Sequence, residues 1–274
     1  MKIDAHFHVF LAKAINQTQS RYVLKYDATI DQWEQLATQG GLEGGVIVQP
    51  SFLGVDNSFL LAAIRLNPNK IKGIAVLSPN TPRSELEELK EQGVPGIRLN
   101  LFGSADPAEN IRRHWKLIEF VNESEMHIEI HHDDGLLNTL LLDIPKGTEI
   151  VVDHFGRPKT NAEFLNQATG IERHASSLWV KLSAQYRTPH LHHSKVLEYW
   201  LNTIGPEKLL WGSDWPHTGF EAAQTYEKQL SDLNKLVPDA SLIDQILVSN
   251  PKHLYWQLRE AINFVGMGLN DKLC

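Results

Sequence analysis

Short apolar runs alternate with longer amphipathic segments along most of the chain. The first run, residues 3–9, alternates apolar with polar side chains, which is the period of a half-buried strand. We therefore expect Asp4, His6 and His8 to share one face of that strand. Further apolar runs predict seven more strands, at residues 45–49, 71–77, 96–101, 127–131, 149–154, 178–183 and 209–214.

Amphipathic segments between these runs predict helices. Residues 29–32 and 84–87 both have the capping-box pattern, so we expect a helix to begin at each place. Asn57 is predicted to cap a helix over residues 58–66. Other helices are predicted at residues 110–122, 135–142, 161–174, 195–203, 221–233 and 242–258.

Eight strands that alternate with helices indicate a parallel sheet. In a chain of this length they favour an α/β fold of the closed (β/α)8 TIM-barrel type. An open doubly wound sheet is the alternative, and it is disfavoured because the first strand-to-helix turn has no glycine-rich phosphate loop. We find no repeat or linker that would divide the chain, so we expect one domain over residues 1–274.

Composition narrows the class of protein. The 274 residues carry a formal net charge of -7, which argues against nucleic acid or an anionic membrane as a partner. No apolar run approaches the ~20 residues that are needed to span a bilayer. The first strand begins within two residues of Met1 and leaves no room for a signal peptide, and the single Cys274 allows no intrachain disulfide. We therefore expect a cytoplasmic protein.

Polar side chains lie at the C-terminal ends of most predicted strands, where active sites of (β/α)8 barrels form. An inert barrel would fill these inner positions with Val, Ile and Leu. Satisfied core polar groups explain one or two of them, but the whole set is better explained by a site. The set is His6, His8, Gln49, Arg98, Asn100, Glu129, His131, His154, Arg157, Lys181, Ser183, Arg187, Asp214 and His217.

Two positions in this set have competing interpretations. His131 and His132 are adjacent, so at most one of them faces inward, and parity with Glu129 favours His131. Lys181 is expected to form an ion pair with Glu129 or Asp4 lower in the barrel.

Five motifs, in order from residue 3 to about residue 217, make the chain resemble the amidohydrolase superfamily. Three carry the general resemblance: Asp4-Ala5-His6-Phe7-His8, Val152-Asp153-His154-Phe155-Gly156-Arg157-Pro158 and Gly212-Ser213-Asp214-Trp215-Pro216-His217. Residues 49–57 and 96–100 resemble, more narrowly, the branch of 2-pyrone-4,6-dicarboxylate lactonases and related sugar-acid lactonases.

The resemblance implies a distorted (β/α)8 barrel that hydrolyses a lactone. It implies a catalytic cluster, which would be His6, His8, His154 and Asp214. It also implies residues around the substrate, which would be Arg98, Arg157, Arg187 and His217. To these we add Gln49, Ser51, Tyr22 and His131 as predicted substrate contacts.

The resemblance bears on metal content as well. Two-metal members of the superfamily place a modified lysine and a further histidine on middle strands. Lys181 has a structural interpretation of its own, and no second histidine follows it on that strand. We therefore expect at most one divalent ion, zinc or manganese, with the catalytic cluster as its ligands. Some members of the lactonase branch work without a metal, so a metal-independent site stays open.

Lactone hydrolysis needs an activated water, a polarised carbonyl and an anchor for the rest of the substrate. Asp214 suits the role of general base, and the imidazoles suit polarisation of the carbonyl, directly or by holding an ion. The planar fork of arginine binds carboxylates, so we expect a small anionic lactone or carboxylate as the substrate.

Two other functions stay open from the sequence. A metal-dependent decarboxylase of an aromatic or unsaturated acid would release carbon dioxide. A non-catalytic binding protein would hold anionic ligands without forming product.

Overall fold

Eight parallel strands form a barrel in which each strand pairs with the next along the chain. This is seen in a computed structural model, which describes residues 1–15, 24–161 and 169–256. The strands are β1 (Ile3–Phe7), β2 (Gly44–Val48), β3 (Ile71–Ala75), β4 (Gly96–Asn100), β5 (His127–His131), β6 (Ile150–Val152), β7 (Leu178–Lys181) and β8 (Leu209–Leu210). The predicted (β/α)8 architecture is confirmed. Its distortion lies at β8, which has only two residues.

The ring is closed by the backbone that follows β8. Asp214 N donates to His6 O at 2.9 Å, and His8 N donates to Trp215 O at 2.9 Å. Gly212 permits this approach, because a Cβ there would collide with Cβ of His6. The first and last strands therefore meet at the predicted histidine motif.

Helices cover the outside of the barrel. The capping box at Thr29 is confirmed, since Thr29 Oγ1 accepts from Gln32 N and Gln32 Oε1 accepts from Thr29 N. A π-helical stretch, Gln245–Ser249, joins the last two helices. The helices are Ile30–Gln39, Ser58–Leu66, Arg83–Glu91, Pro107–Arg113, Trp115–Glu123, Leu137–Leu142, Thr169–His174, His193–Ile204, Tyr226–Leu236, Ala240–Asp244 and Asn250–Trp256.

Two local predictions about helices are wrong, and a third is confirmed in position only. The second predicted capping box fails because Pro82 occupies the N-cap position and the helix already begins at Arg83. Asn57 is at its predicted N-cap position, but its amide bonds the backbone of Val76 instead of the helix. The single helix predicted over residues 110–122 is two helices, interrupted at His114.

The first strand also differs from its prediction. The β1–β2 register shifts between Asp4 and Phe7, so the side chains do not simply alternate. Asp4 accepts hydrogen bonds from Trp33 Nε1 and Tyr226 Oη, both at 3.0 Å, in the helix layer. His6 points into the barrel instead, and the expectation that Asp4 shares its face is wrong.

The barrel interior is apolar at one level and charged at the next. Its apolar cluster is Ile3, Ala5, Val46, Val48, Ile74, Val151, Trp179, Leu210, Leu254 and Tyr255. The helix Asn250–Trp256 supplies Tyr255, whose Oη donates to Oε1 of the buried Glu129 at 2.9 Å. None of the helices in the described part of the chain has the length and apolar character needed to cross a bilayer.

Candidate active site

A cavity opens at the C-terminal ends of the strands, and it encloses about 420 Å³ including the part open to solvent. Seven of the predicted catalytic and substrate-contact residues lie in its wall, and His6 is fully buried beside it. The choice of His131 over His132 is confirmed, because His131 lines the cavity. The wall consists of His8, Pro50, Ser51, Phe52, Arg98, Asn100, His131, His154, Arg187, Asp214 and Thr218.

Asp214 lies at the centre of three imidazoles. Its Oδ1 is 3.5 Å from His8 Nε2, 3.6 Å from His6 Nε2 and 4.0 Å from His154 Nε2. The predicted catalytic cluster is therefore assembled around one carboxylate oxygen, although its members come from β1 and from the segments after β6 and β8.

The second oxygen of Asp214 is held by two donors. Its Oδ2 accepts from Tyr186 Oη at 2.5 Å and from Arg187 Nε at 2.7 Å. Burial alone would raise the pKa of Asp214, but the charge of Arg187 and the neighbouring imidazoles lower that pKa well below its usual range. Burial and the Asp214 charge raise the pKa of Tyr186, so its hydroxyl stays protonated. Asp214 is thus an ionised carboxylate with only Oδ1 free.

Two imidazoles are oriented through their Nδ1 atoms. His8 Nδ1 lies 2.7 Å from Val48 O, and His154 Nδ1 lies 2.9 Å from Ser183 Oγ. A carbonyl oxygen only accepts, so His8 carries a proton on Nδ1. Burial lowers the pKa of His154 well below its usual range, so His154 is neutral at physiological pH.

His6 has a different environment. Its Nδ1 lies 3.2 Å from Lys181 Nζ and 3.2 Å from Asp153 Oδ1. Burial lowers the pKa of His6 to about 4; Asp153 acts in the opposite direction and Lys181 adds to the lowering. His6 is therefore also neutral at physiological pH.

Buried ion pairs support the cluster from below. Lys181 Nζ lies 2.6 Å from Glu129 Oε2, which confirms the predicted pair, and Arg98 Nη2 lies 2.7 Å from Asp153 Oδ2. Burial would raise the pKa of Asp153, but the contact with the His6 ring and the charges of Arg98 and Lys181 lower that pKa well below its usual range. Asp153 was not among the residues predicted for the site. It follows the last residue of β6, Val152, and its direction is set by the 3-10 turn that begins at the next residue.

One predicted substrate contact from the early part of the chain, Gln49, has another role in the structure. The Gln49 side chain does not line the cavity, because Nε2 donates to Gly54 O at 3.2 Å and to Asp56 O at 2.7 Å. It therefore holds the loop that carries Ser51, which does line the cavity. Tyr22 lies outside the described residues, and its role stays a prediction.

Two later predicted contacts also lie behind the cavity wall. Arg157 Nη2 pairs with Asp134 Oδ1 at 2.8 Å, and its guanidinium lies 4.9 Å from the ring centre of Phe102. His217 is buried, and its ring meets that of Tyr186 edge-on at 6.0 Å. Each was predicted from its place shortly after a strand, and neither is among the residues of the cavity wall.

Tyr186 is the second residue that the sequence did not indicate. Ala184 lies after β7, has a left-handed backbone conformation and precedes the 3-10 turn Gln185–Arg187. This turn places Tyr186 and Arg187 on the same oxygen of Asp214. No spacing or periodicity in the sequence signals such a turn.

Left-handed backbone is concentrated at this end of the barrel. Such conformations are strained for non-glycine residues, at a cost of about 1–3 kcal/mol each, and they cluster at functional sites. Seven described non-glycine residues have positive φ, and only Glu125 lies away from the site. The others are His154, Phe155, Arg157, Ala184, Asp214 and His217.

The donor atoms include groups that can hold a metal ion. One ligand atom each from His6, His8 and Asp214 lies within 4.8 Å of the other two. Metal-binding histidines use one ring nitrogen and donate the other N–H to an acceptor, which is the arrangement of His8 on Val48 O. Two imidazoles, one carboxylate and a water would suit a catalytic divalent ion.

Comparison with known proteins agrees with this geometry. A protein-family model described as amidohydrolase matches residues 3–256. The chain belongs to the amidohydrolase family. The resemblance inferred from the five motifs is confirmed, and the family match spans all eight strands of this amidohydrolase.

Relatives with curated names are lactone hydrolases. A 4-sulfomuconolactone hydrolase from Rhizobium radiobacter is 31% identical, over 92% of this chain and 89% of that protein. A 2-pyrone-4,6-dicarboxylate hydrolase from Comamonas testosteroni is 25% identical, over 93% of this amidohydrolase and 90% of that protein. The crystal structure of a probable 2-pyrone-4,6-dicarboxylic acid hydrolase from Acinetobacter baumannii, with citric acid bound, is 34% identical with a TM-score of 0.80, over 93% of this chain and 98% of that one.

Proposed function

We propose that this amidohydrolase acts as a single domain that hydrolyses a small lactone bearing a carboxylate. The observation that carries the proposal is Asp214 Oδ1, which faces three imidazole nitrogens at 3.5 to 4.0 Å beside a cavity walled by Arg98 and Arg187. The names of the relatives, 4-sulfomuconolactone hydrolase and 2-pyrone-4,6-dicarboxylate hydrolase, describe lactones with acidic groups and support the same substrate class.

Asp214 would act as the general base. Its Oδ2 is occupied by Tyr186 and Arg187, so only Oδ1 is free to take the proton of a water as that water attacks the lactone carbonyl. The new bond joins the water oxygen to the carbonyl carbon. The ring C–O bond then breaks, and the leaving oxygen takes the proton back from Asp214. The acid product ionises and releases one proton.

The imidazoles would divide two other tasks. The attack places negative charge on the carbonyl oxygen, which needs donors nearby. His154 supplies an Nε2–H donor when the Ser183 hydroxyl donates to its Nδ1. His8 donates from Nδ1 to Val48 O, which leaves Nε2 facing Asp214 Oδ1, beside the position of the attacking water.

The arginines would attract and orient the anionic part of the substrate. Arg98 is fixed by Asp153 and by Gln49 O, and Arg187 is fixed by Asp214 and by Thr218 O. Both guanidinium groups therefore keep their positions before substrate arrives. Such preorganisation reduces the ordering cost of binding.

The donor atoms of His6, His8 and Asp214 lie close enough together to hold a single divalent ion, zinc or manganese, which when bound would supply a Lewis acid for the carbonyl oxygen. The Arg187 contact with Asp214 reduces the negative charge available to a cation, so we propose at most one ion.

The test is a proton-release screen over carboxylated lactones, run with and without chelator. Hydrolysis yields one proton per lactone and no carbon dioxide. Carbon dioxide release from an aromatic or unsaturated acid would identify a decarboxylase instead, and binding without product would identify a binding protein. A cytoplasmic location and the absence of nucleic-acid partners stay predictions.

A further inference from the structure

Lys181 meets His6 on the side of the ring away from Asp214. Its Nζ lies 3.2 Å from His6 Nδ1, while His6 Nε2 lies 3.6 Å from Asp214 Oδ1. An ammonium group has three donors and no acceptor, so a ring nitrogen bonded to it must present its lone pair.

Lys181 forms ion pairs with two buried carboxylates. Lys181 Nζ lies 2.6 Å from Glu129 Oε2 and 3.6 Å from Asp153 Oδ1, and all three side chains are fully buried. An uncharged amine would leave two buried carboxylates with less compensation, which is costly in a dry interior.

Asp153 competes for the same nitrogen of His6. Its Oδ1 lies 3.2 Å from Nδ1, and a bond there would require the proton on Nδ1. Within the described part of the chain, however, Asp153 Oδ1 completes no well-directed hydrogen bond, whereas Lys181 makes one to Nδ1. The other oxygen, Oδ2, is committed to Arg98 at 2.7 Å. The contact with Lys181 therefore decides the proton position.

We propose that Lys181 is a positioning residue that holds His6 as the tautomer protonated at Nε2. In this tautomer Nε2–H has no partner among the described residues and is directed toward Asp214 and the reacting carbonyl. His6 then acts as a hydrogen-bond donor to the developing oxyanion rather than as a metal ligand, since a ligating nitrogen must be unprotonated. The neighbouring His8 has the opposite tautomer, fixed by Val48 O.

This arrangement makes Lys181 a determinant of metal affinity. Histidine ligands of metals donate their second N–H to an acceptor, and loss of that support typically costs 10–100-fold in affinity. At His6 the acceptor Asp153 shares Nδ1 with Lys181, which supplies a donor to the same nitrogen. Removal of the lysine would let Nδ1–H turn to Asp153 and free Nε2 for an ion.

The experiment compares wild type with Lys181→Met after removal of metal by chelation. The tautomer of His6 is read from ¹⁵N spectra of protein labelled at histidine, with the His6 signals assigned by their loss in His6→Gln. Zinc affinity is measured by calorimetry with Zn²⁺ alone as the probe. Tyr255→Phe is the matched control, because it also removes a buried bond to Glu129 but leaves Lys181 on His6. If Lys181→Met does not fold, the double variant Lys181→Met/Glu129→Gln replaces it, with Glu129→Gln as its control.

We expect Lys181→Met to move the His6 proton from Nε2 to Nδ1 and to tighten zinc binding about tenfold, while Tyr255→Phe changes neither. An unchanged tautomer would overturn the proposal even if zinc bound more tightly, because loss of one positive charge alone strengthens cation binding. A wild-type His6 protonated at Nδ1 would also overturn it.

The activity part of the inference rests on the proposed lactone hydrolysis, whereas the tautomer and zinc measurements do not. With a lactone that turns over, metal-free kcat should fall roughly 10²–10³-fold in Lys181→Met, as for loss of one oxyanion donor, with little change in KM. A substrate of another class would leave the spectroscopic and zinc results intact.

Discussion

Arg187 donates from Nε to Oδ2 of Asp214 across 2.7 Å, and this contact keeps a fully buried carboxylate ionised. Arg187 is the largest of the influences that oppose burial, so loss of the guanidinium would raise the pKa of Asp214. The state of the proposed base therefore depends on a neighbouring side chain that also lines the cavity.

We expect Arg187→Met to shift the acid limb of the kcat profile to higher pH. A base works only when ionised, so activity is present above the pKa of Asp214 and is lost as pH falls through it. Raising that pKa moves the loss toward neutral pH. The measurement is kcat against pH for wild type and variant. Arg157→Met is the control, since its guanidinium pairs with Asp134 instead; an acid limb that does not move would exclude the electrostatic role of Arg187.

Asp214→Asn should lower kcat by ~10²–10⁴-fold, the usual range for loss of a general base. The amide oxygen can still accept from Tyr186 and Arg187, so the position of residue 214 and substrate binding should change far less. Steady-state kinetics together with binding of a product acid checks this. Near-normal turnover in a folded variant would show that Asp214 is not the base.

Most of the fold could be predicted from the sequence, because strand positions are encoded in short apolar runs. All eight predicted strands are present, with ends that differ by a few residues. The failures have local causes. The register of β1 shifts after Asp4, and the Asp4 side chain bonds Trp33 and Tyr226 instead of sharing a face with His6. The Asn57 side chain bonds the backbone of Val76 instead of the first turn of its helix.

The candidate site was predictable where a residue lies within a few positions after the end of a strand. His8, His154 and Asp214 do, and they lie together. Asp153 directly follows β6, but its direction depends on the left-handed turn that begins at His154, and the direction of Tyr186 depends on the one at Ala184. The sequence signals neither turn. For the same reason Arg157 and His217, which have positive φ themselves, lie behind the wall instead of in it.

Arg98 and Arg157 should differ in charge recognition. Arg98 lines the cavity, so Arg98→Met should lower kcat/KM roughly ten- to a hundredfold for a carboxylated lactone, with a smaller loss for its neutral ester. Arg157 lies behind the wall on Asp134, so Arg157→Met should affect both substrates alike. The ratio of the two efficiencies in each variant is the readout. Equal losses in Arg98→Met would exclude direct carboxylate recognition by Arg98.

Asp153 should contribute to the acid dependence of stability. Its folded pKa lies well below its usual value, so its stabilisation is present above the unfolded pKa of about 3.9 and is lost as pH falls through the folded pKa. Asp153→Asn should destabilise the protein at pH 7 by about 3–5 kcal/mol, because it leaves the buried guanidinium of Arg98 without its carboxylate partner. The free energy of unfolding in urea, measured at several pH values, should fall less steeply below pH 4 in the variant. If the unfolding free energies of wild type and variant fell in parallel with pH, the role of Asp153 would be contradicted.

Metal content should not exceed one divalent ion per chain. Arg187 already neutralises part of the Asp214 charge, and Lys181 lies next to His6. Elemental analysis of the purified protein measures the metal content. Activity after exhaustive chelation, and after return of zinc or manganese, shows whether hydrolysis requires the metal. Two tightly held ions per chain would contradict the expectation.

The hydrogen bonds that join β1 to the segment after β8 have a consequence for the timing of assembly. His6 and His8 are synthesised well before Asp214 and Trp215, whose backbones they bond, and the seven strands β2 to β8 are made in between. A nascent or truncated chain that stops before this segment has no proton acceptor for the histidines to surround. When the protein refolds after dilution from denaturant, recovery of turnover would therefore report the pairing of β1 with the segment after β8. The middle strands pair with neighbours in sequence, so spectroscopic probes placed on them should recover earlier.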